Sequence, residues 1–343
     1  MKIAIDISPL KTGHKVRGIG SYTQKLTEEL KRGDYEAKFE FFSNPAAPPP
    51  ADVIHYPYFD LFFHTLPTKT STSRVVTIHD VIPLVFPNYF PAAIRGYINL
   101  FFQKRALKNT SYVICDSHAS KKDICDKLSF PADRVKVIYL AAGKNFKPIN
   151  NAELLEKVRL KYKLPKNFVL FVGDVNWNKN LENLIKAIKI SDINLVMVGA
   201  SLVDTSLIQV RDLSKLINKL NLENKVFITG FIKESDLISL YNLAQATIQP
   251  SYYEGFGLPV IESMSCGTPV VCSNTSSLLE IAKNHAFLCE PSDPNDIAIN
   301  IKKPLELTKS QRSTLSKKLT DYASGFTWKK VADQTVRVYE SLL

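Results

Sequence analysis

The stretch Gln249-Pro-Ser-Tyr-Tyr-Glu-Gly-Phe-Gly-Leu-Pro-Val-Ile-Glu262 decides how the rest of the chain is read. An apolar strand ends at Gln249, two glycines open a loop, and Pro259 falls in the first turn of a helix, where its missing N–H costs nothing. A helix that starts directly after such a loop presents backbone amides and its positive dipole end to an anion. Gly255 and Gly257 remove side chains where a ligand would approach the backbone, and Glu254 and Glu262 flank the same place. Carboxylates so placed accept hydrogen bonds from a hydroxyl-rich ligand. The plainer alternative makes Glu262 a helix-dipole partner and Glu254 a solvated loop acid. For the two acids alone that alternative is better; the whole string favours a binding site.

Around this stretch the chain alternates strands and helices. Strand patterns fall at Asn167–Gly173, Leu195–Gly199, Val226–Thr229, Ala246–Gln249 and Pro269–Cys272, with a helix at Leu181–Ile190. The same grammar fills the N-terminal part, with strands at Lys2–Ile7, Lys38–Phe42, Asp52–His55, Arg74–His79, Tyr112–Cys115 and Val135–Tyr139 and helices at Pro91–Lys108 and Ser117–Leu128. Alternation of this kind predicts mostly parallel sheets covered by helices, so the expected fold class is α/β with two Rossmann-like, doubly wound domains. The expected domains are residues 1–147 and 148–325, joined near Lys147-Pro-Ile-Asn-Asn151. Residues 326–343 read as an amphipathic helix capped by Thr327, which in a two-domain chain can cross back to the first domain.

Composition narrows the class of function. The 343 residues are 45% apolar and 22% charged, which is ordinary for globular domains. Five cysteines, Cys115, Cys125, Cys266, Cys272 and Cys289, show no zinc-ligand spacing and read as reduced core thiols of a cytoplasmic protein. Asp6 interrupts the first apolar run too early for a secretory signal, and no stretch approaches the roughly 20 apolar residues that span a bilayer. The net charge of +11 is concentrated N-terminally: residues 1–145 carry 20 Lys and Arg against 13 Asp and Glu. Such a surplus suits an anionic partner. Nucleic acid is the weakest choice, because no zinc finger, RNA-binding aromatic signature or basic recognition helix occurs. No D-x-D triplet occurs either, so no metal and no cofactor is expected, and leaving-group charge would have to be met by lysine and helix dipoles.

The string Glu254-Gly-Phe-Gly-Leu-Pro-Val-Ile-Glu262, followed by Cys266-Gly-Thr-Pro-Val-Val271, resembles the retaining glycosyltransferases of family 4, whose signature is two glutamates with seven residues between them. The resemblance extends to Arg17-Gly-Ile-Gly-Ser-Tyr-Thr23, Thr77-Ile-His-Asp80, Asp116-Ser-His-Ala-Ser-Lys121, Phe171-Val-Gly173, Trp177-Asn-Lys-Asn180 and Thr229-Gly-Phe231, nearly the full length. It implies the GT-B fold, in which two Rossmann-like domains face each other across a cleft, acceptor on the first and nucleotide on the second. It also implies roles: Glu262 on the ribose, Glu254 and His79 at the reacting sugar, Lys179 on the diphosphate. Backbone amides of Phe256, Gly257 and Leu258 would meet sugar and phosphates, Phe231 would lie near the base, and Gly18 and Gly20 would form a loop reaching the donor phosphate. Many members carry arginine where this chain has Asp174, and an acid cannot clamp a diphosphate. Either Lys179 works with another base and helix termini, or Asp174 turns aside to orient Asn176 or Lys179. For His55 and His118 a satisfied core histidine is the better reading.

The expected function is transfer of a hexose, mannose by overall likeness with GDP-mannose as donor, to a saccharide or lipid-linked glycan. A catalytically silent sugar-nucleotide-binding or scaffold subunit is the alternative. A second possible partner is an anionic membrane at the inner face of which the protein sits peripherally: segment 86–108 interleaves aromatics with Arg95, Lys104, Arg105 and Lys108. An ordinary helix packed on the sheet is the commoner explanation of that pattern.

Overall fold

The computed structural model describes residues 1–13, 18–68 and 70–343. The chain divides into two compact units, one of Met1–Leu140 with Thr327–Leu343 and one of Ala141–Phe326. Each is built on a six-stranded, wholly parallel sheet covered by helices, as the strand–helix alternation predicts.

In the first unit β1 (Lys2–Asp6), β2 (Lys38–Phe42), β3 (Val53–Tyr56), β4 (Ser73–Thr77), β5 (Tyr112–Cys115) and β6 (Val135–Val137) lie in the order β2-β1-β3-β4-β5-β6. Ile3, Ala4 and Ile5 are inaccessible, as are Val75 and Val76, because a central parallel strand is covered on both faces and is therefore apolar throughout. The helices are α1 (Gly18–Arg32), a short α2 (Ile82–Val85), α3 (Ile94–Leu107) and α4 (His118–Leu128). The α4 helix starts at Ser117, whose hydroxyl accepts the Ser120 amide, and stops at Ser129 in the left-handed region.

The second unit contains α5 (Ala152–Lys161), β7 (Val169–Val172), α6 (Leu181–Ser191), β8 (Leu195–Val198), α7 (Ile208–Lys219), β9 (Val226–Gly230) and α8 (Glu234–Leu243). It continues with β10 (Ala246–Gln249), α9 (Leu258–Ser265), β11 (Val270–Ser273), α10 (Ser276–Ala282), β12 (Phe287–Cys289), α11 (Pro294–Leu305) and α12 (Lys309–Ala323). Its strand order, β12-β11-β10-β7-β8-β9, is the dinucleotide-fold order, with the reversal between β7 and β10. Alternate residues of one strand feed opposite cores: Val169 and Phe171 pack with Leu184, Ile188 and Ile297, whereas Phe168 and Leu170 pack with Val196 and Tyr241.

The last helix, α13 (Trp328–Glu340), packs on α1 and belongs to the first unit, as the amphipathic pattern suggested. Thr327 caps it by accepting the Lys330 amide at 3.2 Å, and buried Trp328, Val331, Ala332 and Val336 form its inner face.

Two expectations need correction. Gly18 and Gly20 do not lie in a loop; they form the first turn of α1, which begins at Gly18, while Arg17 of the same motif lies outside the described residues. His118 is not a core histidine: as the first residue of α4 it points outward and is exposed.

Candidate active site

Where parallel strand order reverses, the loops leaving the two central strands diverge and open a crevice at their C-terminal ends. In the second unit those strands are β7 and β10, and the loops are Gly173–Asn180 and Pro250–Gly257. Side-chain amides bind the loops together. Asn178 Nδ2 donates to the Tyr253 carbonyl at 3.0 Å, and the Asn178 carbonyl accepts the Tyr252 amide at 2.8 Å. Asn180, held at φ 57°, donates to the carbonyls of Pro250 at 2.8 Å and Pro291 at 2.6 Å. Trp177 stacks on Tyr252 with ring centroids 5.0 Å apart. The backbone is also closely packed here: a side chain on Gly199 would put its Cβ 2.0 Å from the Gly173 carbonyl oxygen.

This frame delivers Lys179 and Glu254 to one point. The Lys179 ammonium donates to both Glu254 oxygens, Oε1 at 2.7 Å and Oε2 at 2.9 Å, and Ser251 Oγ donates to Oε1 at 2.7 Å. The Glu254 backbone is fixed on both sides, its N–H donating to Ser276 Oγ at 3.1 Å and its carbonyl accepting from Ser277 Oγ at 2.8 Å. The pair is largely but not wholly buried, with side chains 18% and 10% exposed, so it stays within reach of a ligand. Just beyond, Gly257 enters α9 at φ +104°, and a Cβ there would also come within 2.5 Å of Leu278 Cδ2. Only glycine gives the turn that aims the start of α9. Phe256 is buried behind it, and Leu258 opens the helix.

Glu262 lies one turn into α9 and accepts the Tyr241 hydroxyl at 2.8 Å. Burial first, and then the Glu262 charge, push the Tyr241 phenol well above its ordinary pKa, so it remains a donor that orients this carboxylate. Asp174 is turned aside, as one of the two expected solutions requires, but toward Ser201: Ser201 Oγ donates to Asp174 Oδ1 at 2.8 Å and accepts the Val175 amide at 3.1 Å. Phe231 follows β9 with its ring exposed.

His79 belongs to the first unit, two residues beyond β4. Its Nδ1 hydrogen-bonds Asp116 Oδ2 at 2.7 Å, and Asp116 stands directly after the neighbouring strand β5. Tyr22 of α1 presents its ring edge-on to the imidazole at 4.8 Å. Burial alone lowers the His79 pKa, but the Asp116 charge and hydrogen bond outweigh it, and the net direction is upward. Beneath this pair runs a buried polar chain: Tyr339 OH to His55 Nδ1 at 2.6 Å, His55 Nε2 to Thr77 Oγ1 at 2.9 Å, and Thr77 Oγ1 to Tyr22 OH at 3.0 Å. His55, with both ring nitrogens engaged, is the satisfied core histidine expected. Burial, and then the charge of His79, lower its pKa to about 3, so the two imidazoles of one unit are driven in opposite directions.

The structure thus brings Lys179 and Glu254 into contact, sets Phe256, Gly257 and Leu258 directly after Glu254, and engages Glu262 with Tyr241. Sequence reasoning assigned no role to Asp116, Tyr241, Ser251, Asn178 and Asn180. Asp116 had a signal, since it ends the strand that follows the His79 strand and adjacent parallel strands end side by side.

Residues 155–322 match the family described as glycosyl transferases group 1, and residues 47–141 match glycosyltransferase family 4. The chain is 29% identical over 275 residues to O-antigen chain mannosyltransferase B of Escherichia coli, covering 78% of this chain and 70% of that protein. It is also 29% identical over 287 residues to the serotype-specific mannosyltransferase WbdA of Escherichia coli, covering 81% of this chain but only 34% of that longer protein. Among solved structures, HepE of Anabaena in complex with UDP and glucose superposes with a TM-score of 0.77 at 20% identity, over 99% of both chains. WaaG, a glycosyltransferase involved in lipopolysaccharide biosynthesis, superposes with a TM-score of 0.71 at 15% identity over 98% of both chains. These two likenesses carry the fold, which is GT-B. The chain belongs to the retaining glycosyltransferases of family 4. It is accordingly an enzyme that moves a sugar from a nucleotide sugar.

Proposed function

We propose that the enzyme transfers mannose from GDP-mannose to a saccharide or lipid-linked glycan, keeping the anomeric configuration of the donor. The observation that carries the donor half is the Lys179–Glu254 pair, held in the β7/β10 crevice beside the start of α9. A diphosphate entering this crevice meets the Lys179 ammonium and the positive end of a helix, the charges a departing nucleotide requires. As it does so the ammonium exchanges one anionic partner for another, and the Glu254 oxygens become available to sugar hydroxyls. Glu262, oriented by Tyr241, is assigned to the ribose, Phe231 to the neighbourhood of the base, and Phe256, Gly257 and Leu258 to backbone contacts with phosphate and sugar. Gly18 and Gly20, in the first turn of α1, are assigned to the donor phosphate through amides that a helix start leaves without intrahelical partners.

No covalent nucleophile is required. In a front-face substitution the bond from the anomeric carbon to the diphosphate oxygen breaks as the acceptor oxygen bonds to the same face. The acceptor proton passes to the leaving diphosphate. Glu254 and His79 orient the sugar as positive charge develops on it, the Glu254 carboxylate meeting that charge and Asp116 fixing the orientation of the His79 ring. No metal takes part in this scheme.

Mannose rests on the two named mannosyltransferases, and cytoplasmic placement on the nucleotide sugar that the enzyme consumes. A thermal-shift series with GDP-mannose, UDP-glucose and other nucleotide sugars tests the donor, because a ligand stabilises according to its occupancy. The largest shift is expected with GDP-mannose. A larger shift with a uridine donor replaces the base and sugar assignment, and no shift with any of them favours the scaffold-subunit reading. An inverted linkage in the isolated product overturns the reaction scheme.

A further inference from the structure

The α3 helix carries apolar residues on the face turned to solvent as well as on its inner face. Its residues Ile94, Tyr97, Ile98 and Phe101, at helical positions i, i+3, i+4 and i+7, are exposed by 82%, 54%, 52% and 63%. The buried face includes Gln103, fully inaccessible, whose amide donates to the Asp60 carbonyl at 2.9 Å and to Thr65 Oγ1 at 2.7 Å. Asn99 fastens the same loop by donating to the Phe62 carbonyl at 2.8 Å, which sets Phe63, 69% exposed, beside the helix. A globular helix ordinarily turns its apolar side inward. Here the inner face combines Gln103 with the core residues Ala106 and Leu107, and a second apolar stripe is left facing out, a surface of the kind that marks an interaction site.

The charge around that surface selects the partner. From Val81 to Cys115 the sequence contains Arg95, Lys104, Arg105 and Lys108 and no Asp or Glu. At the C-terminal end of α3 a cavity of about 490 Å³ is lined by Phe101, Lys104, Arg105, Lys108 and Arg134, and by no acidic residue. Lys104 donates to the Lys127 carbonyl and Arg134 Nε to that of Ser111, and no ion pair to a carboxylate involves these bases among the described residues. Complementing the helix dipole accounts for one or two bases at this end. It does not account for apolar residues standing outward along the rest of the helix.

We propose that α3 and the Phe63 loop form a docking surface for an anionic bilayer. Ile94, Ile98, Phe101 and Phe63 enter the interface between headgroups and acyl chains, Tyr97 sits at its polar edge, and the basic cavity receives lipid phosphates. A protein partner burying the same stripe would need no acid-free basic rim; a membrane of acidic lipid needs both. The proposal does not depend on the sugar that is transferred, and it is tested without donor or acceptor.

The test is cosedimentation of the full chain with vesicles of phosphatidylcholine alone and of phosphatidylcholine mixed with phosphatidylglycerol. At least tenfold tighter partitioning onto the acidic vesicles is expected, weakening as salt is raised. The triple variant Lys104→Gln, Arg105→Gln, Lys108→Gln should remove the preference for acidic lipid. The double variant Ile98→Ser, Phe101→Ser should reduce partitioning by about tenfold at unchanged melting temperature. Equal partitioning onto the two vesicle types overturns the proposal. So does a concentration-dependent dimer that the double variant converts to monomer, because the stripe would then be covered by a second copy.

Discussion

The two units use one architecture and place charge in it by opposite means. The second unit brings an ammonium and a carboxylate, 75 residues apart in sequence, into direct contact in the crevice where strand order reverses, and leaves both partly accessible. The first unit places an imidazole and a carboxylate at the ends of adjacent strands and backs them with His55, Thr77, Tyr22 and Tyr339, all fully or nearly fully buried. An ion pair that solvent still reaches can exchange partners when an anionic ligand arrives. A buried hydrogen-bonded chain cannot, and its use is to hold one geometry. Under the proposed function, the difference separates a site that binds from a site that positions.

The sharpest way to break that contrast is to remove the charge that the second unit presents. Glu254→Gln keeps the shape and loses the anion; turnover should fall by about 10²–10³-fold, the usual loss on deleting one preorganised electrostatic contact, while the melting temperature changes little. Steady-state rates on the purified variant measure this, and unchanged turnover would remove Glu254 from the site. A medium effect is expected in the first unit. Because the His55 pKa is lowered to about 3, the unfolded chain binds a proton that the folded chain refuses as pH falls from the ordinary histidine range near 6.5. The contribution of His55 is therefore fully present above that range and is lost progressively toward pH 3, at up to about 1.4 kcal/mol per pH unit. His55→Gln, which does not titrate, should flatten the acid limb of a denaturation series; an unchanged limb would show that His55 is not held neutral. His79 has the opposite sign, since its raised pKa makes the Asp116 contact strongest below the ordinary histidine range and weaker as pH rises through the folded value. The smallest effect is expected at Asp174. Asp174 accepts a hydrogen bond from Ser201, so Asp174→Ala should change turnover by less than about tenfold and stability by about 1 kcal/mol. A larger loss of turnover would return Asp174 to the phosphate site.

Much of the second unit was legible because its strands are apolar on both faces and short helices separate them, a pattern that survives without tertiary information. The strand Phe287–Cys289 was not, since three residues carry no period and its place is set by pairing with β11. The glutamate motif could be read from local spacing, but the Lys179–Glu254 contact could not, because it depends on β7 and β10 becoming neighbours across the reversal of strand order. The first unit hid more. His55 and Tyr339 are 284 residues apart and meet only because α13 packs against α1, and nothing in their local sequence marks them as partners. The α3 pattern was visible as alternating aromatics and bases, yet the inner face combines the core residues Ala106 and Leu107 with Gln103 and Asn99, ordinary polar residues until their loop partners are known.

The proposal at stake is that the Lys179 ammonium, held by Glu254 in the β7/β10 crevice, receives the diphosphate of a nucleotide sugar. Calorimetric titration of GDP and UDP into the wild-type chain and into Lys179→Met tests it most directly, with neither acceptor nor turnover needed. The account predicts at least tenfold weaker binding of the preferred diphosphate to the variant, at unchanged melting temperature of the free protein. Equal affinity of both proteins for that diphosphate would contradict it.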